Sequence, residues 1–245
     1  MDAAQPILEY LPASFKNESE GDYITFLWET FESNYQSGKY QFAVLAYHML
    51  YMSFVYFSVW QIKHSRPADY EKAAIFLANR KFKESDLLTA SSPFAFSALQ
   101  ERTIFRILRL TGCGQKHVGN FAQLVDRRNE IAHPNGNIFF SDEKSADSRI
   151  TEILDQIDVI QTHMQPIIHD CLRRFLLESW NPNEREFEGA TDQIREILIH
   201  ANYFSQKDID ACLVFDINTL SAHEQFDAIK LLFDKFVAVY ERDDA

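Results

Sequence analysis

Apolar residues recur along this chain at helical spacing and almost nowhere in strict alternation. Ile24, Leu27, Trp28, Phe31 and Tyr35 stand at i, i+3, i+4, i+7 and i+11, one stripe of an amphipathic helix, with Gly38 placed to stop it. The next stretch behaves differently. From Phe42 to Ile62 there is no Asp, Glu, Lys or Arg, a run long enough to span a bilayer. Yet Tyr47, His48, Tyr51, Ser53, Tyr56, Ser58 and Gln61 spread polar groups through its depth. A helix apolar on most sides is also what the centre of a bundle requires. The expectation is a buried bundle helix from about Tyr40 to His64, and no membrane association.

Pro67 predicts a third helix near Ala68 to Arg80, because proline is tolerated in a first turn. Residues 81–93 read as irregular. A helix from Phe94 to Leu110 should stop at Thr111-Gly112-Cys113-Gly114. Val118, Phe121, Ala122 and Val125 mark another, ending near His133-Pro134-Asn135-Gly136. Ile150, Ile153, Leu154, Ile157, Ile160, Met164, Ile167, Cys171 and Phe175 form a long seam, in which Pro166 predicts a kink. The pattern lapses over 179–183. Three shorter helices follow, one carrying Ile194, Ile197, Leu198 and Ala201. The others open with Ser205…Asp208 and Ser221…Glu224, both at capping-box spacing. The fold class expected is all-α, a helical bundle over 1–180 followed by a small acidic C-terminal helical appendage over 181–245.

Composition narrows the function classes. Seven Gly and seven Pro in 245 residues disfavour turn-rich β architectures, a Rossmann-type phosphate loop and low-complexity disorder. Three scattered cysteines make neither a disulfide framework nor a zinc cage, and an odd count fits a reducing compartment. The first twenty residues show no basic stretch followed by an apolar run, so no secretory leader is expected and a cytoplasmic location is. His163, His169 and Cys171 do not converge on one helix face, so neither a metal nor a cofactor is expected. His48, beside Tyr47 and Tyr51, reads as a core histidine.

The net charge of −12 argues against indiscriminate nucleic-acid binding. Its distribution changes that picture. From Glu101 to His133, six basic residues face three acidic ones, so this window is +3 and the rest of the chain −15. Arg102, Arg106 and Arg109, at i, i+4 and i+7, make one basic face; with Lys116 and Arg127 they are the candidate RNA contacts. Asp126 and Glu130 are expected to pair with a nearby Arg. The window ends in Arg127-Arg128-Asn129-Glu130-Ile131-Ala132-His133-Pro134. Asn129 and His133 lie one turn apart, whereas Arg128 sits about 140° around the axis from His133. One protomer therefore does not aim both along one line, but a facing copy of the helix could gather two arginines and two histidines. Pro134 pushes His133 out of the helical conformation, to the accessible helix end.

Arg128-Asn129-x3-His133, at the end of a helix in an all-α bundle, resembles the Arg-x4-6-His signature of the HEPN superfamily, over about residues 20–180. The resemblance implies a metal-independent endoribonuclease whose site is composed across a homodimer. Similar proteins act as toxins in toxin–antitoxin pairs and in antiviral, abortive-infection defence. Carried onto this chain, His133 would be the general base on the ribose 2′-OH or the acid on the leaving 5′-oxygen. Arg128 would hold the phosphate. Asn129 would orient His133 or contact the phosphate. Attack by the 2′-OH restricts the chemistry to RNA. One branch of the family carries His-x-Tyr, its tyrosine a target of nucleotidylation. Asn135 stands there in this chain, so that control is not expected, while an antitoxin or regulatory protein partner is. The competing reading is a non-catalytic binding or scaffold module on the same bundle.

Overall fold

The computed structural model describes residues 2–78, 83–134 and 136–241, and they form an all-α protein. Ten α-helices run in the order α1 (Glu18–Gln36), α2 (Tyr40–Ser65), α3 (Pro67–Leu77), α4 (Glu84–Leu88), α5 (Glu101–Ile104), α6 (Gln115–Ala132), α7 (Glu143–Ser179), α8 (Ala190–Gln193), α9 (Gln206–Leu213) and α10 (Phe226–Tyr240). Short 3₁₀ and π segments join them.

Helix α1 starts where the Asn17 side chain accepts a bond from the Glu20 amide, at 3.2 Å. It ends where Gly38 takes φ +68°. Ile24, Leu27, Phe31 and Tyr35 bury the stripe seen in the sequence against α2. Helix α2 is the axis of the molecule, walled by α1 on one side and α7 on another. It is long and apolar enough to cross a membrane, but most of it is buried inside the protein. Its polar side chains are accommodated locally: Ser53 and Ser58 donate to the carbonyls of Met49 and Phe54, one turn back. Burying each of Leu50, Val55 and Phe57 favours this arrangement by about 1.5–3 kcal/mol. Helix α7 spans 37 residues, begins at an Asp142 cap and runs through Pro166.

Several local expectations change. The third helix ends at Leu77, and the expected end at Arg80 lies outside the described residues, as do 81 and 82. Glu84–Leu88 is helical rather than irregular, with Asp86 bonded back to the Lys83 amide. The helix expected from Phe94 to Leu110 is three pieces: 3₁₀ over Pro93–Ala98, α5, and 3₁₀ over Phe105–Thr111. Leu99 and Gln100 are extended between the first two, which lets Phe96 and Leu99 both reach the core. The helix expected at Ile194 becomes α8 followed by a π segment, Ile194–His200. Ser205 and Asp208 make their capping box, but Ser221 does not begin α10. Ser221 closes the 3₁₀ turn Ile217–Leu220 instead.

Residues 181–241 do not stand off from the bundle. Phe204, Ile209, Cys212, Ile229 and Phe236 belong to the same continuous core as α2 and α7. Asp208 is buried and accepts bonds from Gln61 of α2 at 2.9 Å and Gln161 of α7 at 2.7 Å. Tyr203, held at φ +53°, donates to Glu20 of α1 at 2.7 Å. The acidic C-terminal part is thus bound in through its polar as well as its apolar groups.

Candidate functional site

A cleft of about 850 Å³ opens between α1, α2, the segment 92–101 and the end of α6. Its charged end is built by three helices. His48 comes from α2, Glu101 from the first turn of α5 and Arg128 from the penultimate turn of α6. Arg128 ion-pairs with Glu101, and His48 Nε2 lies 3.5 Å from the same carboxylate oxygen. The arginine and glutamate side chains are only 27% and 24% exposed, so solvent screens this pair far less than a surface one.

The electrostatics follow from that placement. Burial disfavours the charged imidazole of His48 and outweighs the attraction of Glu101, so its pKa is lowered and the ring is neutral near pH 7. Burial pushes the Glu101 carboxyl up, but the bonds and charges of His48 and Arg128 prevail and hold it below its ordinary value. Glu101 is therefore a carboxylate fixing an arginine. Arg128 Nε, buried beside that ion pair, makes no hydrogen bond among the described residues. Polar capacity left unused at one point of a cleft marks a place where a ligand or water belongs.

The candidate residues divide. Arg128 reaches the cleft. Asn129 is half-buried, and its carbonyl accepts the His133 amide at 3.1 Å. His133 caps α6 with φ −88° and ψ 139°, out of the helical region as the following proline requires. It is exposed and stands just beyond the cleft, whose lining ends at Ala132. Within one protomer Arg128 and His133 do not share a site. Asn135 lies outside the described residues.

Of the residues expected to contact RNA, Arg127 and Arg102 are held in ion pairs, while Arg106, Arg109 and Lys116 are exposed. Arg127 turns away to Glu152, where Arg149 binds the other carboxylate oxygen at 2.6 Å. Arg102 pairs with Asp126 at 2.9 Å, as the charge pattern suggested for that aspartate. Arg106 and Arg109 are exposed on the 3₁₀ segment. Lys116 is exposed at the opposite end of α6, about 18 Å of helix from Arg128. Among the described residues, none of the acidic C-terminal part lines the cleft.

Sequence reasoning missed Glu101 and the partnership of His48. The residues are 53 and 27 positions from their partners, and no periodicity links them. It also treated His163 only with residues of its own helix. His163 lies instead beside His117 and Cys113, whose ligand atoms fall within 4.8 Å of one another. His169 bonds the Ala211 carbonyl at 2.9 Å, and Cys171 is a buried free thiol.

Exposed apolar side chains lie on the segments next to the end of α6. Phe42 is 58% exposed, Ile138 80% and Met49 43%. Gln41 ties these surfaces together, donating to the Ile131 carbonyl at 3.3 Å and accepting the Phe139 amide at 3.1 Å. In comparisons with known proteins, no family model matches the chain, and no curated protein or solved structure does.

Proposed function

We propose that this chain is a HEPN-type, metal-independent endoribonuclease, acting as a homodimer in a toxin or phage-defence role. The observation that carries the reading is the division of the motif at the end of α6. Arg128 is fixed toward a cleft by Glu101, while His133 stands exposed beyond it, with Phe42 and Ile138 exposed on the segments that Gln41 ties to the end of α6. Apolar groups left in water beside a charged motif favour a partner surface there. A two-fold axis through that surface would bring His133 of one copy toward Arg128 of the other.

The chemistry then follows from the side chains. Arg128, permanently charged and held by Glu101, suits the equatorial phosphate oxygens. His133, in water and near its helix end, is free to exchange a proton with the 2′-OH or the leaving 5′-oxygen. The products would be a 2′,3′-cyclic phosphate and a 5′-OH.

The volume of the cleft favours a second reading, a binding module for a nucleotide-sized ligand that uses Arg128 and not His133. Purified wild type, Arg128→Ala and His133→Ala, incubated with RNA in EDTA, discriminate the two. The nuclease reading expects cleavage by wild type and a loss of at least about 100-fold in either variant. Intact RNA with wild type, or equal cleavage by His133→Ala, refutes it.

A further inference from the structure

We propose that Cys113, His117 and His163 form a binding site for a divalent cation of the zinc class, separate from the cleft. The three side chains come from three places. Cys113 lies in the break before α6, His117 in the first turn of α6 and His163 midway along α7. Their ligand atoms lie within 4.8 Å of one another. In a tetrahedral zinc site, bond lengths of about 2.0–2.3 Å set such separations at about 3.3–3.6 Å. The cage therefore closes with about 1 Å of side-chain adjustment.

Local structure explains the convergence. Gly112, at φ +84°, ends the 3₁₀ segment and turns the chain so that Cys113 points inward, 2% exposed. Gly114 then caps α6, which brings His117 into its first turn. The His117 and His163 rings meet edge to face, their centroids 5.3 Å apart. Neither ring has another partner among the described residues. Two imidazoles and a thiol set together leave lone pairs that no hydrogen bond to the rings uses among the described residues.

The donor set selects the ion. One thiolate and two imidazoles suit zinc and disfavour magnesium or calcium, which take oxygen ligands. Burial and the neighbouring His117 keep His163 neutral, the form that ligates. Burial raises the Cys113 thiol against the pull of Arg109, so the cation must displace its proton. One M²⁺ replaces one H⁺ on Cys113 Sγ, the proton leaves to solvent, and water fills the fourth position. His117 precedes Arg128 by eleven residues, about 16 Å of helix, so the ion would pin the start of α6 to α7 and not enter the cleft.

The test uses the full chain, stripped with a chelator and titrated with Co²⁺ and then Zn²⁺. The expected result is one Co²⁺ per chain with a tetrahedral spectrum and a thiolate charge-transfer band, displaced by Zn²⁺. Zn²⁺ should also raise the melting temperature by several degrees. Cys113→Ser should remove the charge-transfer band, and His163→Gln, at a half-exposed position, should weaken binding at least tenfold while the protein stays folded. Absence of a tetrahedral spectrum, binding of copper alone, or binding unchanged in both variants overturns the proposal.

Discussion

At the scale of single residues, burial decides which charges are kept. Glu101 stays charged because Arg128 and His48 bind its carboxylate, whereas His48 itself is neutral. His64 is a second case, its pKa lowered to about 4 by burial and by the positive charges of Lys16, Lys63 and Arg174. For both histidines the folded state binds a proton less readily than the unfolded chain. Stability from these sites is therefore whole above about pH 6.5 and declines as the pH falls from there toward 4. Urea midpoints at pH 7.5 and pH 5 should show that loss, and His64→Gln should make it smaller. A midpoint equal at the two pH values would show that the histidines do not resist protonation.

At the scale of elements, helix starts are fixed where a side chain acts on its own backbone, and of these the Ser205 cap was readable from spacing. Asn17, Asp142 and Ser205 all cap the helices they precede. Spacing alone did not suffice for Ser221, whose turn closes as 3₁₀ before α10 begins. Asp208 shows why the same four-residue signal can matter more in one place than another. Besides its capping bond it satisfies the amides of Gln61 and Gln161 from two other helices. Ser205→Ala should cost about 1 kcal/mol, the usual worth of a cap. Asp208→Ala should cost at least about 3 kcal/mol, because it also strands two amide groups in the interior. Chemical denaturation of both variants gives the comparison; equal losses would mean that the inter-helix bonds contribute nothing.

At the scale of the whole molecule, the apolar surface next to the end of α6 and the single core set opposite limits. The core takes in residues on both sides of 180, so removing 181–245 would uncover the part of α7 that packs against α9 and α10 and not the cleft. The apolar surface, by contrast, is left in water by the single chain. A homodimer at micromolar concentration is expected in sedimentation experiments. Phe42→Glu combined with Ile138→Lys should yield a monomer, abolish RNA cleavage and change folding stability by no more than about 0.5 kcal/mol per position. A wild type that is monomeric while it cleaves RNA would refute the composite site.

Hydrophobic spacing and local chemistry alone determined the all-α class, the buried axis over 40–65, the end of α6 at a histidine followed by proline, and the capping box at Ser205. Each depends on neighbours within a few residues, and local sequence carries that information. Tertiary structure alone decided that Arg127 turns to Glu152, that Arg128 is held by Glu101 beside His48, and that His163 meets His117 and Cys113. These contacts join helices far apart in the chain, whose mutual placement is fixed by the packing of the core. Electrostatic partners at such separations leave no periodic trace in the sequence.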